Sequence, residues 1–265
     1  MVELQDTIPQ LEQAGLAAYA ISYDSVTILA NFAAEKEITY PLLSDAGSVV
    51  ISRLGMLNPY VRKQHGETNE LHEDRFEGVP YPGAFLLDES GLVVDRRLHA
   101  DYRIRESASA LVDGRFGFVA AFLEGDSYVD DVVKVTVRPE SDRFSPYQMV
   151  WFEIQVAVKA GWHIYANPAP SGLTALNVGI DVETYLQPGE LVVDQDPLVL
   201  ELAGSDQPVP ALEGDVRLRL PVVVATSGRE PADVTGFVEY QACSETECLP
   251  PRRVEWSVHL LPREV

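Results

Sequence analysis

Near residue 124 the texture of this sequence changes. Before it, apolar residues recur at helical spacing between short apolar runs; after it, they alternate with polar ones, and Pro and Gly cut the segments apart. A period near 3.6 makes an amphipathic helix and a period of 2 makes a strand with one buried face, so a chain carrying the two in succession divides in two. The length agrees, since 265 residues with 46% hydrophobic content suffice for two ordinary cores. The expected division is residues 1–122, a polar linker at 123–130, and residues 131–265.

In the first part, Leu4, Ile8 and Leu11 share a helical face and Gly15 follows as a stop. Residues 16–21 form a short apolar run bounded by turns, the profile of a strand buried on both faces. Asp24 or Ser25 can cap a second helix with Val26, Leu29, Phe32 and Ala33 on one side. Residues 40–45 read as extended, 48–54 as a third helix, 84–88 and 92–97 as a hairpin, and 105–112 as a last helix. This order predicts a mixed α/β sheet. In the second part, strand-like runs at 132–138, 150–158, 198–202, 216–225, 236–241 and 254–260, with no helical pattern between them, predict an antiparallel β-sandwich of about 130 residues.

The formal charge of −21 opposes binding to nucleic acid or to anionic membrane surfaces. No run of about 20 apolar residues is present to span a bilayer, so no membrane insertion is expected. Met1-Val2-Glu3-Leu4-Gln5-Asp6 lacks the basic start and apolar core of an export signal. As written the chain is cytoplasmic; with a start further upstream it is periplasmic or otherwise extracytoplasmic.

The only two cysteines, Cys243 and Cys248, lie in the polar stretch 240–251 between strand-like runs at 235–241 and 252–260. That places them at a hairpin tip, where two Cα atoms can come within disulfide range. Any thiol chemistry of this chain happens there. Closing a ring of about six residues stabilises by only about 2 kcal/mol, so a purely structural bridge is a weak staple, whereas a disulfide at a loop tip is open to an incoming thiolate. Glu245 and Glu247 inside the loop disfavour thiolate formation, and Arg252 and Arg253 oppose them. An exchangeable pair and a structural pair both remain open on these grounds.

Other candidates are weaker. His65, Glu67, Glu70, His72, Glu73 and Asp74 can be imagined around a metal, but a charged, Gly-containing insertion is ordinarily a solvated loop. Zinc held by Cys243, Cys248 and two histidines lacks the ligand spacing. Neither a metal nor a cofactor is expected. His163, between Trp162 and Ile164 at a strand end, serves as a base only if it reaches Cys243; otherwise it is a hydrogen-bonded structural histidine. Tyr165 and Tyr240 either shield the cysteines or belong to the core.

Three stretches of the first part, at 20–25 (Ala-Ile-Ser-Tyr-Asp-Ser), 38–45 (Ile-Thr-Tyr-Pro-Leu-Leu-Ser-Asp) and 81–88 (Tyr-Pro-Gly-Ala-Phe-Leu-Leu-Asp), resemble peroxiredoxins of the AhpC/TSA type, which have a thioredoxin fold. The resemblance covers about residues 1–113 and implies that Pro82 is a cis-proline facing the reactive cysteine. In that family a first strand and the reactive cysteine come before, or at the start of, the helix that begins here at Met1. Two expectations follow: the strands at 16–21 and 84–88 lack a shared central partner, and both missing features lie upstream of Met1 in a longer peroxidase, unless the domain closes the gap another way. With no cysteine before Cys243, this chain alone is not expected to reduce peroxides.

The stretches at 161–167 (Gly-Trp-His-Ile-Tyr-Ala-Asn), 171–174 (Ser-Gly-Leu-Thr) and 240–250 resemble the immunoglobulin-like amino-terminal domain of the thiol:disulfide interchange protein DsbD, over about residues 129–262. This implies that Cys243 and Cys248 carry thiol–disulfide exchange with another thiol–disulfide protein as electron donor or acceptor. The fold expected is an α/β thioredoxin-like domain followed by an all-β immunoglobulin-like sandwich. The competing expectation is a non-catalytic partner-binding module with a structural disulfide.

Overall fold

The structure, a computed structural model, describes residues 1–59, 78–99, 101, 103–113, 115, 120–181, 183–201, 208–226 and 229–263. The chain divides into two units, Met1–Ala120 and Ala121–Val265. The candidate metal ligands at 65–74 lie outside the described residues.

The first unit runs α1 (Val2–Gln13), β1 (Ala20–Ser22), α2 (Val26–Glu35), β2 (Leu42–Ser44), α3 (Val49–Arg53), β3 (Gly83–Leu87), β4 (Val93–Leu98) and α4 (Ala108–Val112). Each α2 and α4 start has a serine cap: Ser25 accepts from the Ile28 amide and Ser107 from the Ala110 amide, satisfying donors that the first turn leaves free. Gly15, at φ +76°, follows α1 in the left-handed region as the sequence suggests. β1 pairs with β2 in parallel and β3 with β4 in an antiparallel hairpin. Among the described residues the two strands expected to lack a shared central partner fall in separate two-stranded sheets.

The second unit runs β5 (Ser127–Val129), β6 (Val133–Pro139), β7 (Arg143–Phe144), β8 (Gln148–Val158), β9 (His163–Tyr165), β10 (Asn177–Ile180), β11 (Leu186–Pro188), β12 (Val192–Val193), β13 (Leu198–Leu200), β14 (Val209–Leu212), β15 (Asp215–Val224), β16 (Ala232–Tyr240), β17 (Ala242–Cys243) and β18 (Arg252–Pro262). One sheet has the order β11-β15-β8-β6-β5 with β12 also on β15; a second has β10-β16-β18-β7; a third has β13-β14-β9-β17. The alternation that predicts strands also decides which side chains are inside. Along β8, Gln148, Val150, Phe152, Ile154, Val156 and Val158 are buried, each followed by a less buried neighbour. These meet Val234, Val238, Trp256 and Leu260 of the second sheet in one apolar core, with the Phe152 and Trp256 rings 5.7 Å apart. Ile164, Leu212 and Ala242 of the third sheet close its end. The result is an immunoglobulin-like sandwich.

Three expectations need correction. Residues 127–129, expected within the linker, form β5 and pair with β6 at 134–136; a three-residue strand is too short to show a period. The first strand is displaced from 16–21 to Ala20–Ser22, where it meets β2. Among the described residues the cis peptide bond is Asn167–Pro168, and the Tyr81–Pro82 bond is trans. Trans is the intrinsic preference of an X–Pro bond and only tertiary packing selects the other isomer. No strand pairs with the free edge of β3 beside Pro82 among the described residues.

Candidate functional site: the disulfide at the strand crossover

The cysteine loop interrupts the β16–β18 hairpin. The ladder ends at Tyr240 opposite Arg252, and the chain then crosses to the third sheet, where Ala242 pairs with Ile164 and Cys243 with His163. Gln241 secures the crossover. It is 8% exposed; its Oε1 accepts from the Thr174 amide at 2.9 Å and its Nε2 donates to the Leu249 carbonyl at 2.9 Å. The Leu249 amide donates back to the Ala242 carbonyl. Beyond it the loop closes on itself: the Ser244 amide donates to the Glu247 carbonyl, and the Ser244 hydroxyl accepts from the Thr246 and Glu247 amides. Cys243 and Cys248 are disulfide-bonded with Cα atoms 4.0 Å apart.

The two sulfurs occupy different surroundings. Cys243 is 1% exposed and packs with Tyr165 and Val209, with Ala169 and Leu173 laid against the cluster. Cys248 is exposed, as are Glu245, Thr246 and Glu247. One sulfur is therefore open to solvent and the other is buried in a small cluster apart from the main core. The Arg253 guanidinium lies 3.5 Å over the Phe237 ring, and the charge of Arg252 acts on Asp130.

The other expected residues separate. His163 and Tyr165 stand two apart on β9 and so share a face; their rings meet edge-on with centroids 5.2 Å apart. His163 is buried, and among the described residues its Nε2 has no hydrogen-bond partner. Burial holds its pKa below the ordinary 6.5, against the opposite pull of Glu213. Burial also raises the pKa of Tyr165. Tyr240 belongs instead to the main core and donates to Asp130 Oδ2 at 2.6 Å; burial first, and then that bond to a carboxylate, raise its pKa far above the ordinary 10. Pro82 lies in the first unit. Gln241, Leu173, Ala169 and Val209 carry no chemistry-bearing signal in the sequence. Gln241 and Leu173 lie within the quoted stretches and Ala169 between two of them, whereas Val209 arrives only through strand order. No group of three or more His, Cys, Asp or Glu is gathered for a metal among the described residues.

Comparisons with known proteins match two separate parts of the chain. The profile of the AhpC/TSA family matches residues 1–96, and that of the thiol:disulfide interchange protein DsbD, N-terminal, matches residues 134–259. The Haemophilus influenzae protein named peroxiredoxin bcp is 27% identical over 114 residues, 42% of this chain and 63% of that protein's length. Among solved structures, the N-terminal periplasmic domain of ScsB from Proteus mirabilis is 14% identical, with 53% of this chain and 51% of that one covered at a TM-score of 0.38. The Neisseria meningitidis DsbD N-terminal domain in the reduced form is 16% identical, with 54% and 91% covered at a TM-score of 0.30. No helix among the described residues is long and apolar enough to cross a membrane. The chain thus joins a thioredoxin-like segment similar to the AhpC/TSA family to an immunoglobulin-like domain similar to the N-terminal domain of DsbD.

Proposed function

We propose that this protein carries out thiol–disulfide exchange through the Cys243–Cys248 bridge, with another thiol–disulfide protein as its electron donor or acceptor. The observation that carries the reading is the asymmetry of the bridge, with Cys248 exposed and Cys243 1% exposed. A partner thiolate attacks Cys248 Sγ, the Cys243–Cys248 bond breaks, and the Cys243 sulfur leaves and takes up a proton. The partner's second thiol then attacks the partner sulfur of the mixed disulfide, releasing Cys248. Two electrons and two protons have passed to this chain, and the reverse sequence passes them on. Residues 1–120 contain no cysteine, so the exchange proposed for this sequence runs through Cys243 and Cys248.

The asymmetry is testable directly. Iodoacetamide should alkylate Cys248 in a Cys243→Ser variant at least about tenfold faster than Cys243 in a Cys248→Ser variant, because reaction follows access as well as thiolate character. Equal rates would remove the basis for assigning Cys248 as the attacked sulfur.

A further inference from the structure

His163 stands directly across the β9–β17 ladder from Cys243. Residues opposite one another in an antiparallel pair project from the same face with Cβ atoms about 4.5–5.5 Å apart. The neighbours agree on the face. Tyr165, two residues along β9, packs on Cys243, while the intervening pair Ile164 and Ala242 points into the main core. His163 is 8% exposed, and its buried Nε2 has no hydrogen-bond partner among the described residues. A buried polar nitrogen left unsatisfied costs stability unless something else uses it. The groups facing it are Tyr165 on its own strand, Cys243 on β17 and Glu213 in the turn between β14 and β15.

We propose that His163 is the proton acceptor for Cys243 when the bridge re-forms. In that half of the exchange Cys248 is held in a mixed disulfide, and Cys243, only 1% exposed in the bridge, must act as a thiolate. A thiolate buried there alone is costly. The His163 imidazole, neutral near pH 7 because burial keeps its pKa below the ordinary value, takes the proton from Cys243 Sγ. The thiolate attacks Cys248 Sγ, the Cys243–Cys248 bond forms, and the bond from Cys248 to the partner sulfur breaks. Cys243 is oxidised, the partner leaves reduced as a thiolate, and the imidazolium passes its proton to solvent. In the reverse direction the imidazolium returns a proton to the departing Cys243 thiolate.

This inference rests on the exchange reading, yet its test needs no biological partner. The full chain, fully reduced, is mixed with oxidised glutathione, quenched with acid, and followed by mass as the glutathione adduct at Cys248 appears and then disappears. His163→Gln and His163→Phe should leave the appearance of the adduct unchanged. They should slow its resolution about a hundredfold at pH 7, and the gap should close as pH rises and Cys243 ionises unaided. Resolution within twofold of wild type at pH 7 would overturn the proposal, as would the same slowing at every pH, which marks a structural effect. Should the variants fail to fold, the wild-type chain still decides. The resolution rate should rise with pH through the His163 ring titration followed by NMR in the same samples, and the absence of an inflection there refutes the role. Failure of physiological exchange with every thiol–disulfide protein would leave these glutathione kinetics unaffected, so the two readings fail separately.

Discussion

Replacing Gln241 with alanine tests whether one side chain holds the crossover that sets the cysteine pair in place. Gln241 is 8% exposed and makes two bonds of 2.9 Å, from the Thr174 amide and to the Leu249 carbonyl. Alanine leaves both backbone groups without these partners. An unsatisfied buried group costs about 1–3 kcal/mol, and both groups here are half-buried, so the lower end applies to each and the loss is about 2–3 kcal/mol. For a unit of this size that lowers the midpoint by roughly 4–12 °C. All three tryptophans, Trp151, Trp162 and Trp256, lie in the second unit, so selectively excited tryptophan fluorescence during urea unfolding reports this unit alone. The midpoint should fall with m unchanged. Gln241→Glu retains the acceptor for Thr174 but sets a carboxylate oxygen against the Leu249 carbonyl, and should cost at least as much. An alanine variant within about 0.5 kcal/mol of wild type would show that the backbone bonds of the loop hold the crossover unaided.

Tyr240→Phe removes a donor to a carboxylate and should destabilise the second unit by about 1.5–3 kcal/mol. Burial pushes the Asp130 carboxyl up, but the Tyr240 hydroxyl and the Val132 and Val133 amides outweigh it and hold its pKa below the ordinary range. The stability from this carboxylate is therefore complete above the unfolded value near pH 4 and lost as pH falls through the folded one. Acid titrations of urea stability should be shallower in the variant, and parallel curves would refute the linkage. A Cβ at Gly236, in the middle of β16, would collide with the Gly179 carbonyl and the Trp256 indole. Gly236→Ala should thus cost about 1–3 kcal/mol by overpacking, measured by the same fluorescence transition.

The long elements were legible in the sequence because their burial is periodic. β8 and β16 alternate strictly, and the hairpin carrying both cysteines follows from two such runs with a polar loop between them. Ser25 announced the start of α2 because a serine before an apolar face is a cap. The short elements were not legible: β5, β9 and β17 have three, three and two residues, and no period can show over that length. The crossover of Cys243 onto β9 was hidden for a different reason. It depends on which strand of another sheet lies alongside, a long-range choice that also brings Val209 onto the cysteine. His163 was visible as a candidate, but its face, its register with Cys243 and the burial of its Nε2 belong to the fold. The Pro82 expectation came from resemblance, and the bond is trans.

The central claim is that the bridge exchanges electrons, and its reduction potential tests that most directly. The full chain is equilibrated in defined glutathione or dithiothreitol buffers, trapped with an alkylating agent, and the fraction of Cys243–Cys248 in the reduced form is read by mass. Exchange proteins cluster between about −180 and −270 mV, and the account predicts a value in that range. A value below about −300 mV, where structural bridges lie, would contradict it and leave a partner-binding module with a structural disulfide.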